Sequence, residues 1–321
     1  MTTQTNLRVH VLNKVQEAQD IASFELVSID DTPLPPFSAG AHIDVEVRPG
    51  LIRQYSLCND PIERHRYMIA VLRDPRSRGG SQGMHDDVHP GDTLSISAPK
   101  NHFPLEPAAR YLLLAGGIGV TPILCMAERL ARTGAEFTMH YCARSPERTA
   151  FRERIAGLPF AGRVRFHYDS NTCGTRFELD AVLRAATPDT HLYVCGPSGF
   201  IDAVTGGAKA QGWADGRVHL EYFGAAPTDA SGDRQFEVRI ASSGKSYPIP
   251  PGASVVQVLH EHGVDVPVSC EQGVCGTCVT RVLEGTPDHR DHYFTDDERA
   301  ANDQFTPCCS RAHTPVLVLD L

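Results

Sequence analysis

The sequence lacks a long uninterrupted apolar run and a recognisable secretory leader. Residues 1–13 show no basic segment followed by an apolar one. The most apolar stretch, Tyr111–Ala127, is broken by three glycines and a proline, so it predicts a strand, a turn and a helix instead of a membrane span. With 321 residues, 41% of them hydrophobic, the chain is long enough for two or three domains with buried cores. We therefore expect no membrane association.

Two histidine patterns are also missing. The 15 histidines include no H-E-x-x-H pair, which argues against a zinc-hydrolase site of that kind. No cysteine is followed two residues later by histidine, whereas a Rieske centre needs histidine as well as cysteine ligands. A metal site on this chain is therefore expected to depend on cysteine.

Four of the 10 cysteines form a spaced pattern near the C-terminus. Cys270, Cys275 and Cys278 follow the order C-x4-C-x2-C, and 29 residues separate Cys278 from Cys308. This spacing is typical of plant-type [2Fe–2S] sites. The pattern predicts such a cluster. The other six cysteines are then expected to remain thiols in the reducing cytoplasm.

The residues alone leave two questions about this site open, namely which metal it binds and which cysteine is the fourth ligand. A structural zinc site would also use cysteines, although its common pattern has two separated C-x2-C pairs and only one is present. Cys309 competes with its neighbour for the fourth ligand position, and we predict Cys308 because it gives the plant-type gap. Gly273 and Gly276 fit a loop wrapped tightly around a cluster, since they leave room beside the backbone.

The charge of the chain is negative and concentrated towards its end. The formal net charge is −9, and residues 233–321 contain 13 acids and seven bases. Such a surface repels nucleic acid, which we therefore exclude as a partner. The bias indicates either a solvated acidic face or electrostatic steering towards a basic protein partner.

Residues 7 to about 100 predict an antiparallel β-barrel. Short strand-like segments are separated by turns rich in proline and glycine, such as residues 33–40. The predicted strands are Leu7–Val11, Ile21–Ile29, His42–Val47, Arg53–Cys58, Tyr67–Leu72 and Thr93–Ser97.

From about residue 109 an alternation of strands and helices predicts a parallel nucleotide-binding sheet. The predicted strands are Tyr111–Ala115, Glu136–Ala143, Arg163–Tyr168, His191–Cys195 and Val218–Tyr222, and the predicted helices are Thr121–Arg132, Phe151–Ala156, Leu179–Ala186 and Phe200–Gln211. Residues 225–233 form a polar linker of small residues. Beyond the linker we predict strands Phe236–Ile240, Ser246–Ile249 and Val316–Leu319 and a helix Ser254–His262.

A glycine-rich turn, Ala115–Pro122, lies where a predicted strand becomes a helix. Its glycines permit positive φ, and a helix N-terminus offers unpaired N–H groups to a pyrophosphate. Pro122 stands where the third glycine of G-x-G-x-x-G would be, so a turn without a ligand remains an alternative. Tyr193–Ser198 ends another strand on the same side of the sheet and provides a second anchor.

Two segments of the barrel indicate a flavin. Residues 53–57, R-Q-Y-S-L, combine an arginine that can pair with a phosphate and a tyrosine that can lie along an isoalloxazine ring. Residues 78–81, R-G-G-S, open a predicted helix that could hold a phosphate. The first segment alone is a weak signal, and the second strengthens it.

Taken in order, seven segments of the chain resemble the phthalate dioxygenase reductase and vanillate O-demethylase reductase family. They are RQYSLCN, SRGGSQGMHDD, AGGIGVTPIL, YVCGP, CEQGVCGTC, PDHRD and CCSRA. The resemblance covers essentially the whole chain. It implies a multidomain α/β and β fold with an FMN-binding antiparallel barrel over 1–105, a parallel α/β NAD-binding domain over 106–228, and a plant-type ferredoxin domain of β-grasp fold over 229–321.

The resemblance also implies which residues bind each cofactor. FMN would be held by Arg53, Gln54, Tyr55, Ser56, Ala70, Val71, Leu72 and Arg73, with its phosphate on Gly79, Gly80 and Ser81, and with Thr121 and Phe223 at the flavin ring. The nicotinamide nucleotide would be lined by Gly117, Ile118, Gly119, Pro122, Arg144, Ser145, Cys195, Gly196 and Pro197. Cys195 is expected to pack and position, not to act as a nucleophile. Glu221 either orients the flavin or faces solvent.

Two departures from the family pattern matter. The family segment C-V-S-R-A reads C-C-S-R-A here, which supports Cys308 and leaves Cys309 unexplained. Arg144 and Ser145 stand where an acid would be expected to meet the ribose of NAD. We therefore predict NADH as the donor and keep NADPH as an alternative.

The implied function is electron transfer without a catalytic acid or base. Nicotinamide gives up a hydride pair and the cluster takes single electrons, so a flavin is needed between them. The resemblance implies an NADH-dependent reductase component that feeds the Rieske-type oxygenase of an aromatic-ring oxygenase or O-demethylase system. The alternatives are a stand-alone reductase serving a cytochrome P450 or ferric iron, and a non-enzymatic zinc-stabilised adaptor. Without long heptads, we expect a monomer.

Overall fold

The computed structural model describes residues 7–75, 77, 79–169, 176–224 and 232–321. The chain forms two compact units, Met1–Phe223 and Gly224–Leu321. Most of the predicted linker, and Arg78 of the predicted phosphate loop, lie outside the described residues. Within those ranges, no helix combines the length and apolar character that crossing a membrane requires.

The first unit begins with a six-stranded antiparallel barrel. Its strands, β1 to β6, are Leu7–Ala18, Ile21–Ser28, His42–Arg48, Leu51–Ser56, Tyr67–Leu72 and Thr93–Ile96, and the helix α1, Gly80–Asp86, follows β5. The order in the sheet is β4-β3-β6-β1-β2-β5. An isolated bridge between Leu57 and Ile69 joins the two edges and closes the barrel. The interior is apolar, with Val9, Phe24 and Ile43 fully buried.

All six predicted barrel strands are confirmed, and one is longer than predicted. Strand β1 continues to Ala18, past the predicted end at Val11. Its register against β2 shifts between Val11 and Asn13 and again between Gln16 and Ala18. Such bulges change which side chains face the core, so the second half of β1 lacks the strict alternation that marks a strand.

The rest of the first unit is a five-stranded parallel sheet. Strands β7 to β11 are Arg110–Gly116, Glu136–Ala143, Val164–Tyr168, Thr190–Gly196 and Val218–Tyr222, and helices α2 to α5 are Val120–Thr133, Arg152–Ala156, Leu179–Ala185 and Ser198–Ala210. The order β11-β10-β7-β8-β9 places the first strand of this sheet beside the fourth. A doubly wound sheet binds its ligand where the strand order reverses, here beyond the carboxyl ends of β7 and β10. Every predicted strand and helix of this part is confirmed to within two residues.

The second unit is a mixed sheet packed against a helix. Strands β12 to β18 are Phe236–Ile240, Ser246–Ile249, Thr280–Glu284, Pro287–Asp288, Gln304–Phe305, Arg311–Ala312 and Val316–Leu319, and helices α6 and α7 are Val255–Glu261 and Asp296–Ala301. The order is β13-β12-β18-β14-β16, with β12 and β18 parallel. The predicted elements of this unit are confirmed, and the arrangement agrees with the β-grasp fold.

Candidate functional site

The four cysteines predicted as ligands come together in the second unit. Cys270, Cys275, Cys278 and Cys308 are between 3% and 8% exposed. The thiol of Cys270 contacts those of Cys275 and Cys308, and Cys308 also contacts Cys278. These contacts lower the pKa of Cys270 and raise the pKa of Cys275, because one thiolate is shared between neighbouring thiols. Iron would bind all four as thiolates.

The backbone of the cysteine loop is shaped to wrap around a group held by sulfur. Gly273 and Gly276 have φ of 68° and 70°, in the left-handed region that favours glycine. A Cβ on Gly276 would lie 2.3 Å from the ring of Tyr293, and a Cβ on Gly273 would lie 2.3 Å from Sγ of Cys309. Neither position tolerates a side chain, as the sequence predicted.

Backbone N–H groups of the loop point at sulfur. Gln272 donates to Sγ of Cys270 at 3.3 Å, and Thr277 donates to Sγ of Cys275 at 3.5 Å. Hydrogen bonds to ligating sulfur stabilise its negative charge and tune the potential of an iron–sulfur cluster. The loop therefore supplies the polar surroundings that a cluster requires.

The spacing of the thiols along the chain suits two irons better than one zinc ion. Cys275 and Cys278 form a single C-x2-C pair, whereas the common structural zinc pattern has two separated pairs. A structural zinc site needs four ligands at one ion, whereas a [2Fe–2S] cluster needs only two thiolates at each iron. The four buried thiols therefore fit a [2Fe–2S] cluster.

Cys309 has a different environment from Cys308. Its side chain is partly exposed, and its Sγ lies 3.3 Å from Oγ1 of Thr306 and packs over Gly273. The thiol of Cys308 contacts those of Cys270 and Cys278 as well as that of Cys309. This geometry favours Cys308 as the fourth ligand and gives Cys309 a packing role behind the loop.

The two glycine-containing turns predicted to bind a nucleotide meet at the switch point of the parallel sheet. Strands β7 and β10 pair with Ala115 opposite Cys195. A Cβ on Gly119 would lie 2.3 Å from the carbonyl oxygen of Cys195, so glycine is needed for the two turns to touch. Gly117 has φ of 53°, and helix α2 begins directly after this turn. The N-terminus of α2 thus opens onto the crevice where a pyrophosphate would bind.

Glu221 links the nucleotide turn to the flavin segment, a connection that sequence reasoning left undecided. It lies opposite Cys195 in the register of β10 and β11, and its Oε2 accepts a hydrogen bond from Oγ of Ser56 at 3.5 Å. Although the residue is partly accessible, desolvation of its carboxyl group raises the pKa to about 8. Burial also raises the pKa of the Cys195 thiol, which makes it a poor nucleophile. In the sequence, the signal for this residue was a single acidic side chain within the predicted strand V-H-L-E-Y.

Tyr55 and Arg53, the predicted ring and phosphate residues of the flavin segment, both lie on strand β4. The Tyr55 hydroxyl is buried and has no hydrogen-bond partner among the described residues, and its burial raises its pKa. An orphaned buried hydroxyl of this kind fits a site completed by a bound group. The stem of Arg53 crosses Gly80, where a Cβ would lie 2.6 Å from Cγ of the arginine.

The remaining predicted flavin residues lie on β5, around α1 and at two strand ends. Ala70 and Val71 are buried in β5, while Leu72 and Arg73 are exposed at its end. Gly79 has φ of 90° and lies directly before α1. The side chain of Ser81 accepts a hydrogen bond from Asp74 N at 3.1 Å.

Three further predicted residues lie close to the carboxyl ends of the parallel strands. Thr121 is 1% exposed and donates its hydroxyl to the carbonyl of Ile118 at 3.1 Å. Phe223, directly after β11, is 38% exposed. Arg144 is exposed directly after β8. The flavin segments and the nucleotide turns therefore belong to the same compact unit.

Two family models match separate parts of the chain. Residues 113–206 match the oxidoreductase NAD-binding domain, and residues 238–313 match the 2Fe-2S iron-sulfur cluster binding domain. The match to the second model covers the four converging cysteines. The fold and these sites define an NADH-dependent flavin iron–sulfur oxidoreductase.

Similar proteins extend the match over the whole chain. A vanillate O-demethylase oxidoreductase from Pseudomonas putida is 56% identical, with 97% of this chain and 98% of the relative covered. A solved structure of phthalate dioxygenase reductase, described as modular for electron transfer from pyridine nucleotides to [2Fe–2S], has a TM-score of 0.81 and 43% identity over 99% of this chain and 98% of the other. An intact type IV self-sufficient cytochrome P450 monooxygenase has a TM-score of 0.80 and 36% identity, over 98% of this chain and 41% of the other. The chain belongs to the vanillate O-demethylase oxidoreductase and phthalate dioxygenase reductase family.

Proposed function

We propose that this chain is the NADH-dependent reductase component of a two-component aromatic-ring oxygenase or O-demethylase. The observation that supports this most directly is the presence of two sites on one chain. One is a nucleotide crevice whose turn at Cys195 is joined through Glu221 to the flavin residue Ser56, and the other is a loop of four buried thiols. The first site suits a hydride donor, and the second suits a carrier of single electrons.

The residues of the first unit would bind and orient two cofactors. Bound FMN would supply the conversion between a hydride pair from NADH and single electrons, which no side chain can provide. We assign Arg53 to the FMN phosphate, Tyr55 to the ring, and the amides of 79–81 to the same phosphate. Cys195 and Glu221, which are partners in the register of β10 and β11, would line the crevice beside the reacting atoms.

The residues of the second unit would hold a [2Fe–2S] cluster. We assign Cys270, Cys275, Cys278 and Cys308 as its ligands, with the N–H groups of the loop directed at sulfur. The proposed domain boundaries, after residues 105 and 228, lie between β6 and β7 and in the linker. A charge of −6 on residues 233–321, from 13 acids and seven bases, favours a basic docking surface on the acceptor.

The acceptor we propose is a Rieske-type oxygenase component, and the reductase itself would be a cytoplasmic monomer. The relatives named for vanillate O-demethylase and phthalate dioxygenase support an oxygenase partner. A reducing compartment such as the cytoplasm would keep the cysteines outside the cluster as thiols. NADH is the donor, and an exposed Arg144 would also tolerate the 2′-phosphate of NADPH.

A cytochrome P450 is the second candidate acceptor. The specific observation in its favour is the similarity of 98% of this chain to part of a self-sufficient P450 monooxygenase. There the corresponding segment is part of a longer chain, of which the match covers 41%.

The acceptor can be tested by anaerobic mixing. The NADH-reduced protein would be mixed with an oxidised vanillate O-demethylase oxygenase component or with a ferric P450, and the acceptor spectrum followed. We expect bleaching of the Rieske chromophore at low salt and slower transfer at high salt. Reduction of the P450 with an unchanged Rieske spectrum would transfer the assignment to the second candidate.

A further inference from the structure

A largely buried arginine joins the barrel to the nucleotide-binding part of the first unit. Arg154, on α3, donates to Oε1 of Glu128 on α2 at 2.7 Å and to the carbonyl oxygen of Cys58 at 3.2 Å. Its Nη1 lies 3.1 Å from Sδ of Met68. One guanidinium therefore contacts a helix of the nucleotide-binding part and two segments of the barrel.

The two barrel contacts fall where the barrel closes. Cys58 donates its backbone N–H to the carbonyl of Met68 at 2.8 Å, next to the bridge that joins β4 to β5. Cys58 follows the proposed flavin residue Ser56 by two positions, and Met68 precedes the proposed flavin residue Ala70 by two. Arg154 thus contacts the point where the barrel closes, between the two strands that carry most of the proposed flavin site.

The third contact fixes the helix that begins at the nucleotide crevice. Glu128 lies two turns after Thr121 on α2, and only 8% of its surface is exposed. Burial raises the pKa of its carboxyl group, and the nearby Arg154 opposes that shift. A buried carboxylate without its cation is strongly unfavourable, so the pair is retained as a unit. Arg154 thereby fixes α2 relative to the flavin strands.

The backbone at the start of α3, which carries Arg154, is also constrained. Phe151, directly before α3, is 1% exposed and has φ of 60°, a conformation that aromatic residues rarely adopt. Its ring lies 5.4 Å from the guanidinium carbon of Arg154. A strained backbone held by buried packing directs the arginine towards the junction.

Other contacts cross the same junction nearer to solvent. Arg132 pairs with Asp60, and its side chain is 46% exposed. The backbone N–H of Gln19 donates to the carbonyl of Glu147 at 2.7 Å. These contacts would keep the two parts associated without Arg154, but they do not reach the point where the barrel closes.

We propose that Arg154 is a positioning residue for hydride transfer, which holds the N-terminus of α2 in register with the flavin-bearing strands. The proposal rests on the proposed function of that site. A misplacement of about 1 Å between reacting groups can slow a reaction by roughly 100-fold. Loss of Arg154 is therefore expected to slow the transfer more than it weakens nucleotide binding.

Three variants of the full-length holoprotein test this role. In Arg154→Met the contacts to Cys58, Met68 and Glu128 are lost. In the double variant Arg154→Met with Glu128→Gln the unpaired carboxylate is removed as well, which restores thermal stability. Arg132→Met is the matched control, since it removes an exposed arginine from the same junction.

We expect flavin reduction at saturating NADH to slow about 10- to 100-fold in both Arg154 variants. FMN content and cluster absorbance should stay unchanged, and the KM for NADH should move less than threefold. The long-wavelength absorbance formed when NAD⁺ is added to dithionite-reduced protein should weaken, which reports the stacking without turnover. Arg132→Met should match the wild type in each measurement.

Two results would overturn the positioning role. One is a wild-type rate and wild-type long-wavelength absorbance in Arg154→Met. The other is a double variant that regains the rate together with its stability, since that would make the role purely structural. Failure of the wild-type protein to be reduced by NADH would instead refute the proposed function.

Discussion

The carboxyl group of Glu221 connects the flavin segment with the nucleotide turn, and its ionisation should be visible in the stability of the protein. Its pKa is about 8 in the folded chain and ordinarily about 4.5, so the folded state holds a proton that the unfolded state releases between those values. The free energy of unfolding should therefore fall between pH 5 and pH 8, by up to about 1.4 kcal/mol per pH unit.

Glu221→Gln should remove this dependence, because an amide does not titrate. Urea unfolding of the flavin-free protein at pH 5, 6, 7 and 8 would measure it. The variant should gain stability relative to the wild type as the pH rises. A difference that stays constant across this range would show that the carboxyl group is solvated.

The adjacent cysteines Cys308 and Cys309 give a second prediction about single residues. Cys308→Ser should lose the iron–sulfur absorbance and the inorganic sulfide, because Cys308 faces Cys270 and Cys278. Cys309→Ser should keep both, since Cys309 packs behind the loop over Gly273. The measurement is iron and sulfide content with the visible spectrum of each purified variant. The opposite pattern would make Cys309 the fourth ligand.

The residues that the sequence predicted well are those whose role is local. The cysteine spacing and the loop glycines are fixed by chain geometry over a few residues. Glu221 meets Ser56 across 165 positions, and Arg154 meets Glu128 across 26. No local pattern carries such contacts, because they depend on how the barrel packs on the sheet.

At the scale of elements, the turn between β7 and α2 is the most tightly constrained. In Gly119→Ala the new Cβ would meet the backbone carbonyl of Cys195, which cannot move as a flexible side chain would. The N-terminus of α2 would be pushed from the crevice. We expect the KM for NADH to rise about tenfold, as measured by steady-state dye reduction, because the backbone N–H groups at that end would no longer face the pyrophosphate.

The control for this variant is a second glycine in the nucleotide-binding part, one that lies inside a helix. Gly206, inside α5, has open space where its Cβ would be. Gly206→Ala should leave the KM unchanged and stabilise the fold by about 0.5–1 kcal/mol. Equal effects of both substitutions would contradict the close contact at Gly119.

Elements with a strong periodic signal were predictable, and short ones were not. The parallel strands are buried apolar runs flanked by turns, and their bounds agree with the sequence pattern. Strands β15, β16 and β17 have two residues each, too few for any period. Helix α7 was also missed, although its capping box of Thr295 and Glu298 is written in the sequence as T-x-x-E.

At the scale of the whole molecule, the two compact units assign the two halves of the reaction to separate parts of the chain. A protein ending at Gly224 keeps the barrel and the nucleotide sheet and loses the thiol loop. It should reduce ferricyanide with NADH at a rate near that of the full protein. Cytochrome c reduction should vanish, since single electrons leave through the cluster. Cytochrome c reduction that survives the truncation would place the exit at the flavin.

The most direct test is an anaerobic titration of the purified protein with NADH, followed by visible absorbance and by iron and sulfide analysis. We expect a yellow-brown protein with one FMN, two irons and two sulfides per chain. Both chromophores should bleach together as NADH is added. A protein that contains neither flavin nor sulfide, or one in which NADH bleaches the flavin and never the cluster, would contradict electron transfer from NADH through flavin to the cluster.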